Sequence, residues 1–576
     1  MPEKGIRCRV PFAVVILVFL AAACTPMVGP DYVKPPEAPQ AKEWIQDEDP
    51  RLKSEEMDFS AWWTLFEDPV LDTLIQAAYR QNLPLHIAGL RILEARANLG
   101  IAVGNMYPQQ QSVGADIRYN KISENAANTN SAFMDMMYWD TSIGFDVAWE
   151  ADVWGKFRRS VQFGIGTVEP TIANYDDILV SVTAEVARTY ILIRVFEWRL
   201  EIAHRNVEIQ QRSLQIAEAR FEAGAVTELD VAQAKSLLHD TEALIPSLEI
   251  GLRQTKNALA ILLGLVPSEI DKILGEPRPL PKIQPEVAVG IPAELLRRRP
   301  DIRFAERQLA AQSPLIGVAR ADLFPHFGLF GTVGLVSSNA SITAAGGGPA
   351  LFGGGGGSTL SDVFQLSRSF AVAGAGPVVR WDIFNYGRLK NKVRVEDARF
   401  QQLVVNYQNT VLQAAQEVED SMVAFLRSQE QLRALEQSVD ASKRSVDLSL
   451  IQYREGLVSY QRVLDTQRFL TTQQDRMADV AGSVGTSLVA TYKALGGGWQ
   501  IRAGKDFVPE AIKAEMRERT DWGKLLEPKA TVPPASAEEY QEAKGVVWWP
   551  DEGPSLQVDP PGTVLDQRNQ WRWPDW

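Results

Sequence analysis

Four histidines, two cysteines and a short methionine cluster are the side chains best suited to metal or nucleophile chemistry in this 576-residue sequence. His86, His204, His239 and His326 are scattered without ligand spacing, and Cys8 and Cys24 share no motif with them, so neither zinc nor a catalytic thiol is indicated. Met134, Met136 and Met137 offer thioethers that suit Cu(I) or Ag(I). They fall in a loop between two predicted strands, where packing is the better reading. No nucleophile and base stand at a catalytic spacing, and no glycine-rich loop could cradle phosphate, so the sequence predicts neither an enzyme nor a cofactor. Net charge is -13, with 59 basic against 72 acidic side chains; no basic face is available for nucleic acid.

What the sequence does carry is periodicity. Arg388 to Glu455 contains no glycine or proline, and along it Val404, Val411, Val418, Phe425, Leu432, Val439, Val446 and Tyr453 recur every seventh residue. A strict seven-residue seam on a 3.6-residue helix imposes a left-handed supercoil against neighbouring helices. The same seam runs earlier through Ile172, Leu179, Val186, Ile193, Leu200, Val207, Leu214 and Phe221, each 232 residues before its counterpart. Trp149 with Trp381, Gly155 with Gly387, Gly224 with Gly456 and Gly264 with Gly496 keep that offset. The chain is therefore an internal duplication. Small or polar residues beside the seam (Ala414, Ser421, Ser428, Ser442, Ser449) suit close helix approach. On the helices alone, a cytosolic coiled-coil rod is an equal reading.

The ends of the helices decide between these. Asp68 and Pro69 predict an N-cap and first turn, Asn82 and Pro84 punctuate, and Pro108 ends a second helix. Beyond Pro108 the period becomes two: Val113, Ala115, Ile117 and Tyr119 alternate with polar residues, and Ile143, Phe145, Val147 and Trp149 form the return strand. After Pro325 a second hairpin follows with weaker alternation and a longer loop, its extra residues assigned to the glycine-rich tract 346–357. Four strands with one apolar face cannot span a bilayer alone, because both edges would leave backbone groups unpaired in hydrocarbon. Several chains must contribute to one barrel, and the sequence does not set their number. Phe221 to Thr227 and Tyr453 to Ser459 interrupt the long helices at the far end; Gly224 and Gly456 permit the positive φ of a turn, with Thr227 and Ser459 as expected caps of the returning helices.

At the N-terminus, Lys4, Arg7 and Arg9 precede the apolar run Val10 to Ala23, a secretory signal pattern. Leu20-Ala-Ala-Ala-Cys24 resembles a bacterial lipoprotein cleavage site, with Cys24 as the acylated residue and Thr25 favouring the outer membrane. The plainer alternative is a buried thiol in an uncleaved anchor.

Taken together, Leu295 to Leu309, Ile316-Gly-Val-Ala-Arg-Ala-Asp-Leu-Phe-Pro325, Trp381-Asp-Ile-Phe-Asn-Tyr-Gly387, Leu495-Gly-Gly-Gly-Trp499 and the start Cys24 to Tyr32 resemble the TolC-type outer-membrane efflux family. The lipoprotein branch serving resistance-nodulation-division pumps is the nearest in pattern. The resemblance implies a mainly α chain with a membrane β-barrel portion: four β-strands per chain, a homotrimer closing a twelve-stranded barrel, and a long coiled α-helical barrel in the periplasm. It implies a passive exit duct for drugs or other small solutes, fed by an inner-membrane pump through a periplasmic adaptor. It further implies that Gly224, Ala225, Val226, Gly456, Leu457 and Val458 meet the adaptor, and that Asp465 lines the entrance constriction. A second family aspartate is Arg462 here, so an arginine-carboxylate link across the seam could hold the entrance shut; Asp230, the repeat partner of Arg462, is a weaker gate candidate.

Expected segments are a signal peptide (1–23), an acylated linker (24–66), a first repeat (67–275, hairpin about 109–150), a proline-rich linker (276–292), a second repeat (293–499, hairpin about 326–382) and an extension (500–576). The extension departs from the family pattern; with six tryptophans and nine prolines it reads first as a partly ordered addition on its own protomer, and second as a partner-binding tail. Type I protein secretion through a similar duct, and a trimeric surface adhesin with a helical stalk, are the competing functions.

Overall fold

In a computed structural model of the protein, the described residues are 27–33, 44–45, 49–53, 59–123, 125, 135–284, 286–288, 299–338 and 370–527. Cys24 and the signal segment, Met134, the tract 346–357 and the tryptophans beyond 527 lie outside them. The chain divides into two units, 1–499 and 500–576.

In the first unit, helix α1 (Pro69–Gln81) begins where the Asp68 carboxylate accepts from the Val70 amide at 2.9 Å. Asn82 ends α1 and opens α2 (Leu83–Gly104): its side chain accepts from the Leu85 amide and donates to the Leu262 carbonyl at 2.8 Å. One buried side-chain amide thus satisfies ends of two helices, α2 and the one that ends at Leu262, while the Asn82 backbone N–H closes α1 on the Ala78 carbonyl. Strands β1 (Gln110–Lys121) and β2 (Met137–Ala151) follow, then α3 (Lys156–Glu222) and α4 (Glu228–Leu262), and a short α5 (Ile270–Leu274). The second half repeats the plan with α6 (Pro300–Ala321), β3 (His326–Ser338), β4 (Phe370–Arg380), α7 (Arg388–Arg454) and α8 (Tyr460–Ala494).

Both α3 and α7 contain 67 residues, roughly 100 Å each at about 1.5 Å per residue, and both return helices contain 35. Each long helix starts after a left-handed glycine, Gly155 at φ +78° and Gly387 at φ +81°. The seam residues Leu179, Val186, Ile193, Val418, Phe425 and Val439 are buried. Buried Ser421, Ser442 and Ser449 return their hydroxyls to carbonyls of their own helix, so close packing leaves no hydroxyl unpaired there. Gly482 of α8 lets α3 come close, since a Cβ there would stand 2.5 Å from the Val195 side chain. Among the described residues no helix is long and apolar enough to cross a membrane.

The four long strands form one antiparallel sheet in the order β1-β2-β3-β4, with β1 and β4 at the edges. Register aligns the faces: Val113 opposes Phe145, which opposes Val333, and Ala115 opposes Ile143, which opposes Leu335. On the other face Asp146 accepts from Thr332 at 2.6 Å, and Asp116 accepts from the Ser142 hydroxyl. The weak alternation of the second hairpin has a local cause, a bulge in β4: Thr332 opposes Gly374 and Val333 opposes Val372, which leaves Ala373 as the extra residue. An extra residue there shifts the parity of everything beyond it.

Where the second repeat begins, a partly buried ionic cluster ties its first helix to the long ones. Arg299 donates to Asp301 and Glu417, each at 2.7 Å, and to the Ala494 carbonyl. Arg303 pairs with fully buried Asp176 at 2.8 Å and lies 4.6 Å from the Trp499 ring. The Arg-Pro-Asp sequence that carries part of the family resemblance is accordingly a packing device. Asp177 sits beside this cluster; burial, reinforced by the Asp301 and Glu417 carboxylates against the pull of Arg299 and Lys493, pushes its pKa up to about 6.

The second unit holds α9 (Glu510–Arg519), with Phe507, Val508 and Met516 buried. Buried Lys513 is neutralised by Asp506, and the Arg502 guanidinium lies 5.3 Å from the Phe507 ring.

An acid whose pKa is raised on folding contributes most below its unfolded pKa and loses that contribution as pH climbs through the folded value. Asp177→Asn should therefore raise the stability at pH 8 by an amount on the order of 1–2 kcal/mol, seen as a higher thermal midpoint. The advantage should shrink between pH 6 and pH 4 and vanish near pH 4, as read by melting of the purified protein across that range.

Candidate functional site

The glycine turns at the ends of α3 and α7 have the same construction. Gly224 (φ +71°) and Gly456 (φ +76°) occupy left-handed conformations that non-glycine residues adopt at a cost. Ala225 donates to Arg220 O and Leu457 to Gln452 O, each at 2.8 Å, closing both helix ends in Schellman fashion. The following helices start differently from expectation. Neither Thr227 nor Ser459 makes a side-chain cap; instead their carbonyls accept from Asp230 and Arg462 amides at 3.1 Å, a tightened first turn. Of the residues expected at the tips, Gly224, Ala225, Gly456 and Leu457 are exposed, Leu457 at 75%. Val226 and Val458 are half-buried and pack against a cluster made by Ala217, Val231, Ala234, Tyr453, Tyr460 and Val463.

That cluster joins the two tips. Tyr453 ends the second seam where the first has Phe221, and its ring is buried against Tyr460 at 5.3 Å. Its hydroxyl donates to Asp230 Oδ2 at 3.2 Å. Burial first, and then the Asp230 carboxylate, push the Tyr453 pKa up to about 12, so the hydroxyl remains a donor at any physiological pH. From the other tip Arg220 reaches the end of α7: its guanidinium donates to the carbonyls of Tyr453 and Arg454, the latter at 2.9 Å, and stacks 4.8 Å from the Tyr453 ring. A cation at a helix C-terminus meets the partial negative charge of the unpaired carbonyls. Arg220 and Tyr453 are absent from the set expected on sequence grounds. The available signal was the tyrosine replacing phenylalanine in the seam, because a buried phenol requires an acceptor.

Asp465 and Arg462 lie one turn apart on the exposed side of α8, and Phe469 continues the same face. With Ser438, Ser442 and Ser445 of α7 they line a cavity of about 400 Å³. Asp465 accepts from Gln461 at 2.9 Å. Among the described residues no ion pair joins Arg462 to Asp465 within the chain. Asp230 does not share this groove; it is held by Tyr453 on the other hairpin. At the opposite end of the first unit, Met136 and Met137 border a cavity of about 490 Å³ with Lys121, Ile122 and Ser123.

A family profile described as "Outer membrane efflux protein" matches residues 74–265 and 291–497, the helices and strands of both repeats. The chain belongs to the outer membrane efflux protein family. It is 31% identical over 457 residues to the pyoverdine export outer membrane protein OpmQ of Pseudomonas aeruginosa, covering 78% of this chain and 89% of that one. It is 29% identical over 497 residues to the toluene efflux pump outer membrane protein TtgC of Pseudomonas putida, covering 85% and 96%. Among solved structures, the outer-membrane channel OprN superposes with a TM-score of 0.71 at 30% identity, over 82% of this chain and 99% of that one. The fold is shared as well with the CmeC outer membrane channel of Campylobacter jejuni, at a TM-score of 0.72 and 22% identity over 86% and 98%. This outer-membrane efflux protein thus carries its two helical turns, clamped to each other by Arg220 and Tyr453, at the end remote from the sheet.

Charged hydrogen bonds of this kind hold a helix end closed by about 1.5–3 kcal/mol. Arg220→Ala should accelerate tryptic cleavage after Arg454 about tenfold under native conditions, while Arg220→Lys should fall between.

Proposed function

We propose that the protein is the exit duct of a tripartite efflux system, passing small solutes from an inner-membrane pump and a periplasmic adaptor across the outer membrane. Three copies place their sheets side by side to close a twelve-stranded barrel, and their α3/α4 and α7/α8 pairs continue it as a helical tunnel. Cys24 is acylated and anchors the chain in the same membrane. Energy enters at the pump, so the duct needs no nucleotide or cofactor.

The observation that carries this reading is the sheet itself. Its outer face presents Val113, Ile117, Ile143, Phe145 and Leu329 as exposed apolar side chains, and its edge strands β1 and β4 each pair on one side only within it. Lipid tolerates such edges only when another strand closes them. Family membership favours the duct over an adhesin stalk. Relatives named for pyoverdine and toluene favour small solutes over secreted proteins.

At the entrance, Gly224, Ala225, Val226, Gly456, Leu457 and Val458 form the adaptor-contact rim, where Leu457 is the largest exposed apolar side chain. Asp465 and Arg462 form the gate: threefold symmetry gathers three carboxylates and three guanidiniums around one axis, an arrangement held shut by cross-copy attraction. Asp230 secures the outer hairpin through Tyr453. In planar bilayers, Asp465→Asn combined with Arg462→Ala should raise resting conductance severalfold, about 2- to 5-fold, and reduce cation preference. Unchanged conductance and selectivity would remove the gate from this pair.

A further inference from the structure

The two long helices start alike in fold and unlike in charge. Just after β2, α3 opens on Lys156, Arg158 and Arg159, and each meets a carboxylate of its own chain: Lys156 lies 3.1 Å from Asp322, Arg158 2.9 Å from Asp152, and Arg159 2.8 Å from Asp31. Asp152 also accepts from the Phe157 and Arg158 amides at 3.0 Å, so a carboxylate closes the first turn. Its counterpart 232 residues on is Phe384, an exposed ring with no acceptor to offer. Helix α7 then carries Arg388, Lys390, Lys392 and Arg394, with no acidic residue in its first turn and no side-chain cap. Cations at a helix start work against the dipole, here in a chain whose net charge is -13. An anion beside them offsets that cost.

The four cations lie on two flanks, because residues two apart on a helix are about 200° apart. Arg388 and Lys392 belong to the polar side of the sheet. Lys392 lies 3.8 Å from Asp322, which Lys156 links to Glu150, and Glu150 pairs with His326 on the face that carries Asp146 and Thr332. Arg388 lies 3.8 Å from Asp382. Lys390 and Arg394 therefore occupy the flank on the apolar side, where both are exposed. At that level the apolar face ends in Val379, which shares the side of Phe327 and is exposed. Trp381 follows it, the counterpart of Trp149 on the same face. Its exposed indole donates to the Leu323 carbonyl at 3.1 Å, as Trp149 donates to Met106 at 3.2 Å. A fixed indole at the margin of an apolar face, with cations beyond it, suits a layer of lipid headgroups.

We infer that the flank of α7 carrying Lys390 and Arg394, bordered by Trp381, is a docking surface for the phosphate of an anionic phospholipid in the leaflet next to the helices. The inference rests on the reading that the apolar face of the sheet lies in lipid, and it adds the headgroup chemistry at the margin of that face. A zwitterionic headgroup brings its own cation and gains less from the pair. The repeats then differ in what neutralises them: carboxylates of the chain at α3, and the membrane at one flank of α7.

Retention of lipid by the purified full-length protein tests this. After exchange into detergent micelles that contain phosphatidylglycerol or phosphatidylcholine, and a wash in plain detergent, the protein should keep phosphatidylglycerol preferentially, as read by mass spectrometry of the bound lipid. Lys390→Gln or Arg394→Gln should lower that retention about fivefold, and the two together about 10- to 30-fold, with phosphatidylcholine unchanged. The charge-keeping exchange of Lys390→Arg with Arg394→Lys should preserve the preference, and Lys443→Gln, far along α7, should leave it as it is. Excess inorganic phosphate should not displace the lipid. Equal retention of both lipids, an equal loss with Lys443→Gln, or displacement by phosphate would overturn the site. A double variant whose multimer dissociates while its lipid preference stays intact would also overturn it, making this flank a contact between copies. Planar-bilayer conductance separates the site from the duct: a conducting protein without lipid preference loses the site alone, and a charge-dependent preference in a protein that never conducts loses the duct alone.

Discussion

A four-stranded sheet with two unpaired edges and an apolar outer face sets the terms for the rest of this molecule. Each edge presents a row of backbone donors and acceptors that hydrocarbon cannot satisfy, so the strands are stable in a bilayer only as part of a closed ring. The register sets Val113, Phe145 and Val333 on one side, because a slip by one residue would exchange the apolar face for the polar one. Asp146 with Thr332 and Asp116 with Ser142 occupy the opposite face, where hydrogen bonds replace burial.

The helices solve a different problem with the same duplicated plan. Leu179, Val186 and Ile193 in the first seam and Val411, Val418, Phe425, Val439, Val446 and Tyr453 in the second are buried at multiples of seven residues, and serines between them fold their hydroxyls back onto their own helix. The turns are glycine-built Schellman ends, and the helices that return from them start without a side-chain cap from Thr227 or Ser459. Duplication followed by divergence accounts for the clamp between the tips. Where the first repeat ends its seam in Phe221, the second ends in Tyr453, whose hydroxyl finds Asp230 on the opposite hairpin.

The same divergence explains why one hairpin is covered and the other is not. The polar side chains Asn206, Ser213 and Gln233 are paired within the chain, while Ser438, Ser445 and Asp465 at the corresponding positions line an open groove.

Periodicity made the helices, the duplication and the strand faces legible in the sequence, because burial along a helix or strand follows a fixed spacing of side chains. The motifs around Arg299, Pro325 and Trp381 made the family legible. The Asp465 and Arg462 pair was legible as a position, since the repeat and the motif spacing place it just beyond the Gly456 turn. Tertiary structure decided what spacing cannot encode: that Arg220 crosses to the carbonyls of Tyr453 and Arg454, that Thr227 and Ser459 leave their caps unmade, and that a bulge at Thr332 resets the second hairpin. It decided as well that the Arg-Pro-Asp sequence is consumed in a partly buried cluster beside Asp177. These depend on which side chains meet across hundreds of residues of chain, a matter of three-dimensional proximity that local pattern leaves open.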